Sequence, residues 1–161
     1  MIVVSDTSPI LNLALVGHLH LLASLYREVL IPPAVYQELT RSGSDAHLIA
    51  PGSCSWLVVA SAENQVHVRQ LSGQLDPGEA EAIVLALEKR ADLLLVDERR
   101  ARRVASALGL RVTGLLGILV EAQRAGLIER VKPVLDDLIA RAGFWIGADL
   151  YAKVLAELSE D

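Results

Sequence analysis

Short apolar runs and stretches of helical period take turns along the chain as far as residue 113. The runs IVVS at 2–5, EVLIP at 28–32, WLVVA at 56–60 and LLLV at 93–96 are continuous rather than alternating, as in strands covered on both faces of a parallel sheet. RVT at 111–113 predicts a further short strand. Helical patterns fill the gaps: Ile10 to Leu25 with a break near Gly17, Ala34 to Leu39, Glu79 to Lys89, and Arg99 to Leu108. Strands alternating with helices predict a three-layer α/β/α sandwich around a mostly parallel central sheet. Turn residues crowd RSGSDAHLIAPGS at 41–53, which reads as a surface loop or insertion. Beyond 114 only helical patterns remain, in LLGILVEAQRAGL, VKPVLDDLIARAG and GADLYAKVLAEL. The apolar faces of this 114–159 segment must pack on the sheet or on another chain, and the sequence leaves both open.

Composition narrows the class. The 161 residues suit a single domain, 1–161, and 52% hydrophobic against 22% charged residues is far from disordered composition. Cys54 is the only cysteine, which excludes a disulfide framework, a CxxC redox pair and a cysteine-built zinc site, and suits a reducing cytoplasm. No basic segment precedes the first apolar run, and Asn12, Gly17, His18 and His20 interrupt the longest one, so neither export nor a membrane span is expected. A net charge of −5 argues against a general nucleic-acid coat protein. Yet seven of the fifteen basic residues, Lys89, Arg90, Arg99, Arg100, Arg102, Arg103 and Arg111, fall within 89–111, a candidate phosphate-binding face on an acidic protein.

The candidate chemistry lies in acids at the ends of the predicted strands. Asp6 and Asp97 each follow an apolar run, and ligands of open parallel sheets bind beyond the carboxyl ends of the strands. In PPAVYQEL, Glu38 lies about 60° around the helix from Val35, at the edge of the buried face. In DPGEAEAIVLALEKR, Glu79 borders the apolar arc while Glu81 falls on the solvent side with Glu88. Each acid alone has an ordinary explanation: an Asp at a strand end caps the next helix, and Glu79 in a first turn gains from the helix dipole. Together, four carboxylates in one place repel unless protonated or bound to a cation, and hard oxygen ligands suit Mg²⁺ or Mn²⁺ meeting a substrate phosphate.

VVSDTSPI with Asp6, PPAVYQEL with Glu38, GEAEAIVLALE with Glu79 and LLLVDERRARRVA with Asp97 resemble, in that order, the motifs of PIN-domain nucleases. The branch that begins VSDTSP and continues through LGLRVTGLLGIL is especially similar, and the resemblance covers nearly the whole chain. It implies a PIN-like fold, a divalent-metal site on Asp6, Glu38, Glu79 and Asp97, and endoribonuclease chemistry, often as the toxin of a toxin–antitoxin pair. RNA would then be the substrate, with a small antitoxin and a second copy of the chain as partners in a homodimer. Ser8 matches a small hydroxyl residue that orients the first Asp or a metal-bound water. One departure stands out: the third family acid is more often Asp, and here it is Glu79 with Glu81 nearby. A PIN-like binding or scaffold protein without useful turnover is the rival reading.

The remaining signals modify this picture little. ERRARR opens the helix after Asp97, where the dipole disfavours cations, so Arg99, Arg102 and Arg103 are either compensated by RNA phosphates or part of a solvated face paired with Glu98. His18 and His20, two apart, do not face each other on one helix, and His47 and His67 lack partners in the pattern. Ser5 and Ser8 flank Asp6 without a G-x-S-x-G elbow, and no second Asp stands two residues on for aspartyl phosphotransfer. Phe144, Trp145 and Tyr151 gather three of the six aromatic residues near the C-terminus, as core for the last helix or as a partner surface.

Overall fold

The computed structural model describes residues 1–41 and 54–160. The turn-rich stretch from 42 to 53, with His47, lies outside the described residues, while Arg41 closes a helix. Five strands, β1 (Val3–Ser5), β2 (Val29–Ile31), β3 (Leu57–Val59), β4 (Leu93–Leu95) and β5 (Val112–Thr113), form one sheet in the order β3-β2-β1-β4-β5. Every pairing is parallel, with Val4 opposite Leu30 and Leu94, and Leu94 opposite Val112. The helices among the described residues are α1 (Thr7–Leu15), α2 (His20–Tyr26), α3 (Pro33–Arg41), α4 (Gln65–Leu71), α5 (Pro77–Lys89), α6 (Arg99–Ala107), α7 (Leu115–Arg124), α8 (Val131–Arg141) and α9 (Ala148–Glu157).

Successive strand residues point to opposite faces, and the two faces carry two separate cores. Val3 and Leu95 join Ile10, Leu13, Leu21, Val35, Ile118 and Leu135 from α1, α2, α3, α7 and α8. Val4 and Leu94 turn the other way, onto Val68, Leu71, Ile83, Val84, Ala101 and Ala105 from α4, α5 and α6. The chain therefore leaves β1 toward one layer and β4 toward the other, although these strands are neighbours. Such a reversal opens a crevice at the carboxyl ends of the two strands, where Asp6 and Asp97 follow.

Local chemistry explains where the elements start and stop. Gly17, with φ of +76°, ends the first helical stretch in a conformation other residues resist, and α2 begins afresh at His20. His18 thus sits in a linker, which is how its ring comes within 5.7 Å of His20 despite their spacing. Pro33 and Pro77 both occupy first turns, where the missing N–H costs nothing. The helical patterns of the sequence do not include α4, which carries His67 and whose buried positions are only Val68 and Leu71. The C-terminal question resolves by element: α7 and α8 bury Leu115, Ile118, Leu119, Val131 and Leu135 on this chain, whereas α9 fully buries only Leu155. Among the described residues no helix is long and apolar enough to cross a membrane.

Candidate metal centre

Asp6, Glu38, Glu79 and Asp97, drawn from the ends of β1 and β4 and from α3 and α5, line one open cavity of about 480 Å³. Asp76 and Glu98 line it too, so the crevice gathers six acids. Glu81 does not line it and lies half-buried elsewhere on α5.

Asp6 is fixed by its backbone, whose N–H donates to Leu95 O at 2.9 Å and so ties the end of β1 to β4. It stands at the N-cap of α1, yet its carboxylate makes no capping hydrogen bond to the helix. The usual N-cap bond to the N2 or N3 N–H is therefore not what holds this carboxylate. Only 6% of Asp6 is exposed, and burial pushes its carboxyl up to about 7. The Thr7 N–H pulls the other way, while Asp76, Glu79 and Glu38 add to the rise.

Each of the other three rests on a donor from the protein. The Thr7 hydroxyl donates to Glu38 Oε2 at 2.6 Å. Glu79 Oε1 accepts from the Asp76 N–H at 3.0 Å while Asp76 Oδ1 accepts from the Glu79 N–H at 2.8 Å, a reciprocal capping box at the start of α5. Burial raises the Glu79 carboxyl, the Asp76 N–H lowers it, and Asp76, Glu98 and Glu38 raise it further. Asp97 Oδ1 accepts from the Leu115 N–H at 2.8 Å at the head of α7, and its Oδ2 accepts from the Ser8 hydroxyl at 3.3 Å. Burial again raises this carboxyl, against those two donors and Arg102. Ser8, itself bonded by the Asn12 amide at 3.1 Å, therefore orients Asp97 rather than Asp6.

Two glycines make room for this arrangement. A Cβ on Gly78 would lie 2.9 Å from Glu38 Oε1 and 3.2 Å from Asp6 Oδ1, so its hydrogen leaves a cradle beside both carboxylates. At Gly114 a Cβ would meet Asp97 Oδ1 at 2.6 Å. The donor set fits a hard divalent cation: all oxygen, with Asp6 and Glu79 buried and Glu38 and Asp97 half-buried. As they stand, no three Asp, Glu, His or Cys side chains among the described residues converge to hold a single ion. Glu38 and Glu79 accept instead from the Thr7 hydroxyl and the Asp76 N–H.

Asp76 escaped the sequence reading because D-P-G-E looks like a helix start, and it is one. Its second role, charge in the crevice, shows only once α5 is placed against β1.

Arg99 lines this cavity and a second one of about 1010 Å³, which Arg102, Arg103 and Arg124 also line. Glu98 caps α6, accepting from the Arg100 N–H at 3.2 Å, and offsets part of the unfavourable dipole. Among the described residues Arg99, Arg102 and Arg103 form no ion pair within 4 Å.

A family model described as a PIN domain matches residues 2–160. Among solved structures, a PilT N-terminus domain protein from the hyperthermophilic archaeon Sulfolobus solfataricus P2 superposes with a TM-score of 0.59 at 21% identity, covering 76% of this chain and 93% of that one. The second likeness shows the fold alone. Comparison with curated proteins finds no match.

Proposed function

The chain belongs to the PIN-domain family, a superfamily of nuclease type, and we propose that it is a divalent-metal-dependent endoribonuclease. The observation that carries this reading is Asp6: a buried carboxylate with no capping bond, surrounded by further acids and raised to about 7. Such a group is costly to ionise in the free protein, and a Mg²⁺ or Mn²⁺ ion held by Asp6, Glu38, Glu79 and Asp97 would offset that cost. When bound, the ion supplies a nucleophilic water and neutralises charge on a phosphodiester. The chain's own residues do the rest. Ser8 and the Leu115 N–H hold the Asp97 carboxylate in one orientation, and Thr7 does the same for Glu38. Arg99, at the cavity wall, meets the substrate backbone, with Arg102 and Arg103 farther along. A cytoplasmic toxin with a small protein antitoxin, working as a homodimer, belongs to the same proposal and rests on family resemblance.

Titration of Mn²⁺ into the purified protein by calorimetry, beside cleavage of an unstructured RNA, tests it. Binding heat that Asp6→Asn and Asp97→Asn each abolish, together with metal-dependent cuts that disappear in the same variants, is expected. No heat and no cleavage in the wild-type protein would leave the non-enzymatic scaffold reading in its place.

A further inference from the structure

The crevice and the larger cavity share four wall residues: Asp97, Arg99, Phe144 and Trp145. One carboxylate, one cation and two aromatic rings therefore stand at the boundary between an acid-lined space and an arginine-lined one. Trp145 is 79% exposed, the largest apolar side chain so presented. Phe144 is half-buried, its backbone anchored by donation to Leu138 O at 3.0 Å. The Trp145 ring lies beside the backbone of Gly147, within 3.8 Å of where a Cβ would stand, at the head of α9. Core packing does not account for a tryptophan so placed.

We infer that Trp145, backed by Phe144, is a base-stacking platform for a single-stranded nucleic acid whose backbone runs from the acid crevice into the arginine-lined cavity. Stacking on an exposed indole requires an unpaired base, since bases within a duplex are stacked on one another and face inward. Arg99 lines both cavities and Arg102 and Arg103 line the larger one, where the next phosphates of such a strand need cations. Acids and arginines alone would accept any phosphodiester, so the platform is the element that selects unpaired strands. The inference rests on the nuclease reading in taking the crevice as the place where the backbone is cut. A protein partner on the same aromatic surface is the competing occupant, disfavoured because that surface is continuous with the acid crevice.

The test uses tryptophan emission with EDTA present, so that binding is read without cleavage. Trp56→Phe removes the other tryptophan, which lines neither cavity. A mixed-sequence RNA of about twelve nucleotides is titrated against the same sequence locked in a duplex. Saturable quenching by the single strand and much weaker quenching by the duplex are expected. In anisotropy with a labelled strand, Trp145→Ala should weaken binding by about 5- to 150-fold, and Trp145→Phe should restore most of it. Equal affinity for both forms overturns the inference, as does undiminished strand binding by Trp145→Ala. So does a change in oligomeric state in that variant with strand binding intact, which would assign the ring to a protein interface. Strand binding through Trp145 in a protein that never cuts with Mn²⁺ keeps the platform and sinks the nuclease. Cleavage with unchanged KM in Trp145→Ala does the reverse.

Discussion

Asp6 carries a cost that the rest of the molecule does not remove. Its carboxyl titrates at about 7 when folded and near the ordinary 3.8 when unfolded, so between those values the folded state holds more protons. The contribution of Asp6 to the stability of the metal-free protein should therefore be fully present below about pH 4, decline as pH rises toward 7, and level off above it. Asp6→Asn should flatten that decline and stabilise the protein at pH 8 by an amount on the order of a few kcal/mol. Urea unfolding in EDTA across this range checks the claim; an unchanged slope in the variant would assign the pH dependence elsewhere. Asp6 and Asp97 were readable from sequence because each interrupts an apolar run, and a charge there is conspicuous. Ser8 was not readable in the same way. Which carboxylate its hydroxyl meets depends on β1 lying beside β4, a pairing between residues about ninety positions apart.

The start of α5 combines two functions in one turn, and substitution can separate them. Asp76→Ala leaves the Glu79 N–H without its acceptor and should cost about 1 kcal/mol. Glu79→Gln keeps an oxygen able to accept from the Asp76 N–H, so the cap and the melting temperature should stay close to wild type. The charge is gone, however, and Mn²⁺ affinity should fall at least tenfold if Glu79 serves as a ligand. Thermal unfolding of both variants, paired with Mn²⁺ calorimetry, checks both halves. Equal metal affinity in Glu79→Gln and wild type would confine Glu79 to capping. Helix periods placed Glu79 at the buried edge of α5 correctly, because eight buried residues on this helix define its inner face. They failed for α4, where two buried residues within seven give a pattern too thin to stand out from a polar linker. The three-residue strands β1 and β4 were nevertheless visible, since central strands buried on both sides read as continuous apolar runs.

The acid crevice and the aromatic pair meet only because the C-terminal helices fold back onto the sheet layers, and one acid does much to hold them there. Glu160 is 8% exposed, and its two oxygens accept from the Val131 and Lys132 N–H groups at 3.0 and 2.9 Å. It thus caps α8 from the far end of α9, in place of Arg130, whose side chain makes no cap and instead lies 3.7 Å from Glu160. A second tie joins the Tyr151 hydroxyl on α9 to Asp136 on α8. Local periodicity carries no trace of either link, because each joins separate helices. Phe144 and Trp145 lie in the span between α8 and α9, so their orientation depends on these ties. Glu160→Ala strips two backbone donors of their acceptor and should destabilise the fold by about 1–3 kcal/mol. Amide exchange should accelerate through α9 and the first turn of α8, while β1 and β4 keep their protection. Mn²⁺ binding, which draws on the crevice alone, should survive at a temperature where the variant remains folded. Binding of a single strand should weaken, because the rings lose their bracing while the acids keep theirs. Loss of both together would mean that the crevice and the C-terminal helices form one cooperative unit rather than two coupled parts.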